Sequence, residues 1–208
     1  MTRPLPIQHG SRDQAHPALP FLGDLALPLA RVHEICGNAR RFLALLIASR
    51  TRGPVFWIAP AWGAERLNPE AMLRLVGPER IVFVDPVRAE DLLWCMEEVL
   101  RSGAVPLVVA DIPAPPGLTA VRRLHLAAET GAAEAGTLPL GVLLTPGTGG
   151  AQGIETRWHI AGDHGADGRR RWRLDRLRAR TAPQKSWRVT SAKGAFRLES
   201  LAEETLLN

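Results

Sequence analysis

The stretch that most constrains this chain is residues 31–48, RVHEICGNARRFLALLIA. It begins with enough apolar residues for a short buried strand, which ends at Gly37. From residue 40 to residue 49 an apolar run without a breaker predicts a buried helix. A strand that feeds a helix through a glycine turn is where α/β nucleotide-binding proteins hold phosphates, because the helix N-terminus offers free N–H groups and a partial positive charge.

The turn has the form of a phosphate loop without its chemistry. A working loop reads GxxxxGK[ST], in which the lysine reaches the β- and γ-phosphates and the hydroxyl holds Mg²⁺. The corresponding residues here are Gly37, Asn38, Ala39, Arg40, Arg41 and Phe42. The second glycine, the lysine and the hydroxyl are all missing. We therefore expect a degenerate loop, with Gly37, Asn38, Arg40 and Arg41 as its remnant, and we assign no cofactor.

Apolar runs and helical patterns alternate along the middle of the chain. This alternation indicates βαβ units and an α/β fold, with a mainly parallel central sheet flanked by helices. The runs do not alternate polar with apolar residues, so we expect each strand to be central and buried on both faces. The predicted strands are residues 55–59, 81–84, 107–110 and 142–144, and the predicted helices are residues 70–75, 88–101 and 120–134.

After residue 146 the sequence becomes more polar. Shorter runs at residues 156–160, 172–180, 186–189 and 195–198 predict antiparallel strands at one edge of the sheet. We divide the chain into a flexible, proline-rich lead-in (residues 1–23), one domain (residues 24–190) and a tail (residues 191–208), whose acidic end predicts a helical turn or two.

Composition favours an intracellular protein. No apolar run reaches the ~18 residues of a membrane span, and the polar N-terminus lacks the apolar region of a signal peptide. We therefore expect a cytoplasmic protein that makes no membrane contact, in which Cys36 and Cys95 stay reduced.

We find no catalytic or metal-binding constellation. Asp111 ends an apolar strand, as a Mg²⁺-organising acid does in phosphate-loop enzymes. Parallel strands also often end on an aspartate that caps the next turn, and without the lysine and hydroxyl we prefer that interpretation. The histidines have no metal-ligand spacing with cysteine or acidic partners. We assign no catalytic residue and no metal.

Residues 169–188 form a strongly basic segment, with eight arginines and Lys185 against one acid, Asp175. Guanidinium groups neutralise phosphates, and an exposed tryptophan can stack on an unpaired base. The alternative without a binding function is an edge strand that places Trp172, Leu174 and Leu177 in the core and exposes its arginines to solvent. We favour binding of nucleic acid or of an acidic protein, because the arginines exceed what edge protection requires. The predicted binding residues are Arg169, Arg170, Arg171, Trp172, Arg173, Arg176, Arg178, Arg180, Lys185 and Arg188.

The order of these segments resembles the RecA core over roughly residues 25–189. LPLARVHEICG is similar to the LP-x-G-R-hydrophobic-x-E-I-x-G motif before the RecA phosphate loop. A helix ending in RSGAV runs into the Walker B strand in both, and RLRARTAPQKSWRV resembles the basic segment near the end of that core. AWGAERLNPE, RAEDLLWCMEEVLRSGAVPLVVADIPAPPGLTAVRRLHLAAE and the glycine-rich run before TRWHI look closer to the ImuA family of short RecA-like proteins, some labelled SulA-like.

The departures from RecA imply a core that has lost ATP hydrolysis. The catalytic glutamate of RecA falls near Ala61, and Glu65 is only a distant substitute. The two DNA-binding loops of RecA correspond to residues 110–118 and 146–153, which are short and lack basic residues.

The resemblance implies a non-catalytic accessory protein of SOS-induced, error-prone translesion DNA synthesis. Its expected partners are an ImuB-like protein and an error-prone DnaE-type polymerase, with RecA and single-stranded DNA as further candidates. One alternative is a weak ATP-dependent recombination or repair enzyme that uses Arg40 or Arg41 in place of the lysine. Another is a SulA-like cell-division inhibitor.

Overall fold

The computed structural model describes residues 17–63, 66–165, 169–192 and 194–201. An N-terminal hairpin, β1 (Ala18–Leu22) and β2 (Leu25–Pro28), precedes the main sheet. The elements that follow are β3 (Val32–Cys36), α1 (Arg40–Ala48), β4 (Val55–Ile58), α2 (Pro69–Leu73), β5 (Ile81–Val84), α3 (Ala89–Ser102), β6 (Leu107–Asp111), α4 (Leu118–Ala135), β7 (Leu140–Leu144), β8 (Thr156–Gly162), β9 (Arg171–Ala179), β10 (Lys185–Ala192) and β11 (Ala195–Ser200).

The main sheet has nine strands in the order β11-β10-β9-β8-β3-β7-β6-β4-β5. The six strands from β8 to β5 run parallel to one another. Strands β9, β10 and β11 add an antiparallel extension beside β8. The predicted fold class is confirmed: an α/β core with a mainly parallel central sheet and C-terminal antiparallel edge strands, consistent with a RecA-like layout.

Helices cover the parallel part of the sheet on both faces. The β1–β2 hairpin, α1 and α2 pack on one face, and α3 and α4 pack on the other. The two helices α3 and α4 cross closely at Gly131, where an added Cβ would lie 2.2 Å from the carbonyl oxygen of Leu100. Within the described residues no helix is long and apolar enough to cross a membrane.

One strand differs from the sequence-based prediction of central burial. Strands β6 and β7 are buried along their whole length. Strand β5 instead ends the sheet, with β4 as its strand neighbour. Val82 and Phe83 on β5 are 40% and 46% exposed. The prediction for residues 81–84 was therefore wrong, because an apolar run does not reveal whether a second strand will pair beside it.

The predicted boundaries also change at both ends of the domain. Residues 18–22 of the predicted lead-in form β1, whose Phe21 and Leu22 lie in the core. Residues 195–200 of the predicted tail form β11, and its Phe196 and Leu198 pack against the same core. Residues 1–16 and 202–208, where the rest of the lead-in and the predicted helical turn fall, lie outside the described residues.

Candidate functional site

The turn between β3 and α1 is closed by contacts within the protein. The Gly37 N–H donates to the carbonyl of Gly147 at 3.0 Å, and the Ala39 N–H donates to the carbonyl of Ile160 at 3.2 Å. An added Cβ on Gly37, whose φ is +92°, would lie 2.2 Å from that Ile160 oxygen. Two backbone N–H groups of the turn are therefore hydrogen-bonded to neighbouring carbonyls and are not available to bind a phosphate.

Asp111 is held by the arginines that replace the phosphate-loop chemistry. Arg41 Nε donates to Asp111 Oδ2 at 2.6 Å, and Arg40 Nε lies 3.5 Å from Asp111 Oδ1. The carboxylate is mostly buried and ends β6 beside the first turn of α1. Its observed role is thus an ion pair with α1, which differs from the turn cap that we had preferred.

The cavity beside this pair is small. It measures about 170 Å³ and is lined by both arginines, Asp111, Pro60 and Pro146 among others. Small-molecule sites usually measure about 300–1,000 Å³, so this cavity lies below the usual range. Glu65, the distant substitute for a catalytic glutamate, lies outside the described residues.

A buried carboxylate that the sequence analysis did not single out holds the loop after β7. The fully buried Glu34 accepts hydrogen bonds from the Thr145 hydroxyl at 2.7 Å and from the Gly150 N–H at 2.8 Å. It also accepts from the Ala151 N–H and pairs with Arg157 on β8. A glutamate within an apolar strand is the sequence signal for such a site, because a buried charge requires partners. Glu34 fixes the position of residues 146–153.

The arginine-rich segment divides between the two faces of the sheet. In β9, residues 172, 174 and 176 face the α1 side, and Arg171 and Arg173 face the other side. Between Trp158 and Arg157 the β8–β9 register shifts by one residue, so that Arg178 lies opposite Arg157. The extra residue, Leu177, thereby returns Arg178 to the face of Arg173.

These arginines form one exposed basic surface on the antiparallel extension. Arg188 on β10 lies directly opposite Arg173, and the two side chains are 41% and 51% exposed. Asp163, Asp175 and Glu199 offset part of the positive charge. We call this surface the basic face; it consists of Arg171, Arg173, Arg178, Arg188 and, from β11, Arg197, which the sequence analysis missed.

The other predicted binding residues lie elsewhere. Trp172 is 8% exposed and packs in the core on the α1 side, so its ring is not part of the basic face. Arg176 and Lys185 lie over the ring of Trp187 on the α1 side, at 5.2 and 5.5 Å from its centroid. Burial lowers the pKa of the Arg176 guanidinium.

The remaining three arginines lie outside β9. Arg169 and Arg170 are exposed and precede β9. Arg180, just after β9, pairs with Glu155 at 3.4 Å.

No group of three His, Cys, Asp or Glu side chains that could hold a metal occurs within the described ranges. No protein-family model matches the chain, and no curated protein matches it. The features of the described residues that bear on function are the closed turn, the paired carboxylate and the basic face.

Proposed function

We propose that this protein is a non-catalytic accessory protein of SOS-induced, error-prone translesion DNA synthesis, of the ImuA type suggested by its RecA-like motifs. Its role is to bind an ImuB-like protein and a DnaE-type polymerase in the cytoplasm, with RecA and single-stranded DNA as further partners. The observation that carries the non-catalytic part is the ion pair between Arg41 and Asp111.

That ion pair opposes metal-dependent nucleotide chemistry. In phosphate-loop enzymes an acid at this position of the strand organises Mg²⁺. Here Arg40 and Arg41 bring two positive charges to the carboxylate, and a metal ion would have to displace them against charge repulsion. The loop also lacks the hydroxyl that would supply another oxygen ligand. Losing the metal ligands removes the stabilisation of the transferring phosphoryl group.

The basic face supports the binding part of the proposal. Its arginines lie on a pleated surface that α3 and α4 do not cover, because those helices pack over the parallel strands. Surface guanidinium groups bind phosphates by charge and by paired hydrogen bonds. The same charges suit single-stranded DNA or an acidic surface of a polymerase complex.

A nucleotide experiment tests the non-catalytic part. Purified full-length protein should show no ATP turnover and no saturable change in mant-ATP fluorescence with Mg²⁺ present. Arg41→Ala and the surface control Arg52→Ala should behave like the wild type. Turnover that disappears in Arg41→Ala but persists in Arg52→Ala would contradict the proposal and favour the ATPase alternative.

A DNA-binding experiment tests the basic face. Fluorescence anisotropy with labelled dT20 should show an affinity that falls steeply with salt. The Arg173→Ala/Arg188→Ala double variant should reduce the log–log salt slope by about 1.4, at ~0.7 per phosphate contact on a single strand. Arg52→Ala/Arg88→Ala, two arginines away from this face, should leave the slope unchanged. Negligible affinity of the wild type at low salt would refute DNA binding.

A partner experiment tests the accessory role itself. An ImuB-like protein should co-elute with the full chain in size-exclusion chromatography, and a DnaE-type polymerase should join the complex. If neither protein co-elutes and dT20 does not bind, the accessory role is refuted. If the ImuB-like protein binds and dT20 does not, the basic-face variants should instead weaken that protein complex.

A further inference from the structure

An open groove lies on the opposite side of the sheet from the basic face. It runs between α1, α2 and the antiparallel strands and measures about 600 Å³, within the usual range of about 300–1,000 Å³ for binding sites. Its floor is apolar and consists of Phe42, Leu75, Trp172 and Phe196.

The aromatic rings of the floor are already stacked on each other. Phe42 and Trp172 lie nearly parallel, with centroids 4.3 Å apart. Phe196 tilts against the Trp172 ring at 60°. A nucleobase needs a free ring face for stacking, and Trp172 in its buried position does not offer one. The floor is therefore better suited to a compact aliphatic or aromatic side chain that fills a depression.

The rim of the groove carries a net positive charge. Arg74 on one side and Arg170 on the other are exposed. Within the described part of the chain neither guanidinium makes a hydrogen bond or an ion pair. Glu70 adds one negative charge, and Asn68 uses its side-chain oxygen to cap α2. An apolar floor below two unpaired arginines is complementary to an acidic, partly apolar ligand.

We propose that this groove binds a short acidic segment of a partner protein, which inserts a bulky apolar side chain onto the floor and places carboxylates at Arg74 and Arg170. The site goes beyond the basic face, because the two surfaces lie on opposite faces of the sheet. Either one can fail without the other.

The probe is a fluorescein-labelled nine-residue peptide that has a central Leu-Phe pair flanked by glutamates. Fluorescence polarisation with the full chain should show saturable binding. Arg74→Glu/Arg170→Glu should weaken binding about tenfold or more, because it reverses two charges next to the ligand. The matched control Arg52→Glu/Arg88→Glu should not. A peptide with Ala-Ala in place of Leu-Phe should also bind about tenfold more weakly.

A steric pair of variants separates groove binding from general charge attraction. Ser191→Phe fills the groove from β10, and Thr190→Phe places the same ring on the opposite face. Only Ser191→Phe should abolish peptide binding, with both melting temperatures measured to confirm folding. If Ser191→Phe does not fold, the arginine variants and the Ala-Ala peptide still decide the proposal.

Three results would overturn the proposal. Equal binding of the Leu-Phe and Ala-Ala peptides would show charge attraction only. Displacement of the probe by dT20 or ATP would assign the groove to a nucleic acid or nucleotide. Probe binding only to a chain truncated after Leu201 would assign it to the chain's own residues 202–208.

Discussion

The ring of Phe42 lies parallel to the ring of Trp172, with an interplanar angle of 9°. Phe42 belongs to the first turn of α1, and Trp172 belongs to β9. The stack therefore joins the helix after the degenerate loop to the antiparallel extension. Such aromatic pairs add about 0.5–1.5 kcal/mol beyond their area burial, so we expect these two parts of the fold to unfold together.

Replacing Trp172 should reduce stability and leave DNA binding unchanged. Trp172→Ala removes a buried ring and should cost about 3–5 kcal/mol in the free energy of unfolding. Urea unfolding followed by circular dichroism measures this cost. Anisotropy with dT20, at a temperature where both proteins are folded, should give equal affinities. A selective loss of DNA affinity without a loss of stability would instead place Trp172 at the interface.

Two strand positions should respond oppositely to a new carboxylate. Val109 on β6 is fully buried, so Val109→Asp leaves an unpaired charge that costs at least several kcal/mol against a typical total of ~5–15. We expect this variant not to fold. Phe83→Asp on the exposed edge strand β5 should remain folded. Thermal melts of both variants check this, and a cooperative melt of soluble Val109→Asp would contradict the central position of β6.

The crossing of α3 and α4 should not tolerate a methyl group at residue 131. Gly131→Ala places a Cβ against the Leu100 carbonyl and should cost about 1–3 kcal/mol through forced backbone shifts. Gly117→Ala is a comparison without a steric clash, since nothing lies within 4 Å of its added Cβ, and its cost is that of losing a glycine at the N-cap of α4. The measurement is the urea midpoint of each variant. A midpoint of Gly131→Ala equal to that of the wild type would show that the helices separate at little cost.

Acid should destabilise the protein partly through His33. Its Nε2–H donates to the Pro28 carbonyl, so its Nδ1 accepts from the Thr156 hydroxyl at 2.7 Å. Burial, with the nearby charges of His125 and Arg31, lowers the pKa of His33 to about 4. The folded state therefore excludes a proton that the unfolded chain binds below about pH 6.5. Stability from this group is complete above that pH and declines as the pH falls towards 4.

The variant His33→Gln isolates this contribution. The free energy of unfolding, measured by urea at several pH values from 7.5 to 4.5, should fall less steeply in the variant. The difference in slope should approach one proton, or about 1.4 kcal/mol per pH unit. Parallel pH profiles for the two proteins would mean that His33 is protonated in the folded state.

Much of the fold could be predicted because its signals are local. The apolar runs of β6 and β7 and the glycine after α3, whose φ is +57°, each act within a few residues. The edge position of β5 could not be predicted, because strand order depends on the path of the whole chain. The entry of residues 18–22 into the fold likewise depends on distant packing partners, whereas the strand at residues 195–198 was predicted from its local pattern.

The candidate site likewise has features that could be predicted from the local sequence and features that could not. The loss of the lysine and hydroxyl is visible at residues 37–42. The pairing of Arg41 with Asp111 is not visible, because 70 positions separate the two residues. Alternation along β9 predicts that its arginines cannot all face one way, and the structure divides them between two faces. Which face of the sheet the helices leave exposed depends on how the layers pack. The burial of Trp172 therefore could not be predicted from the neighbouring residues in the sequence alone.

Leu177 is an extra residue in β9 that changes the face of the sheet on which the next arginine lies. With strict alternation, Arg178 would share the face of Arg176 and point towards the tryptophans on the α1 side. The extra residue instead adds Arg178 to the row of Arg171 and Arg173, and so lengthens the charged row without another strand. If the same sequence paired with β8 without this bulge, the composition and net charge of the arginine segment would be unchanged, yet Arg178 would leave the row that a phosphate chain or an acidic surface could follow.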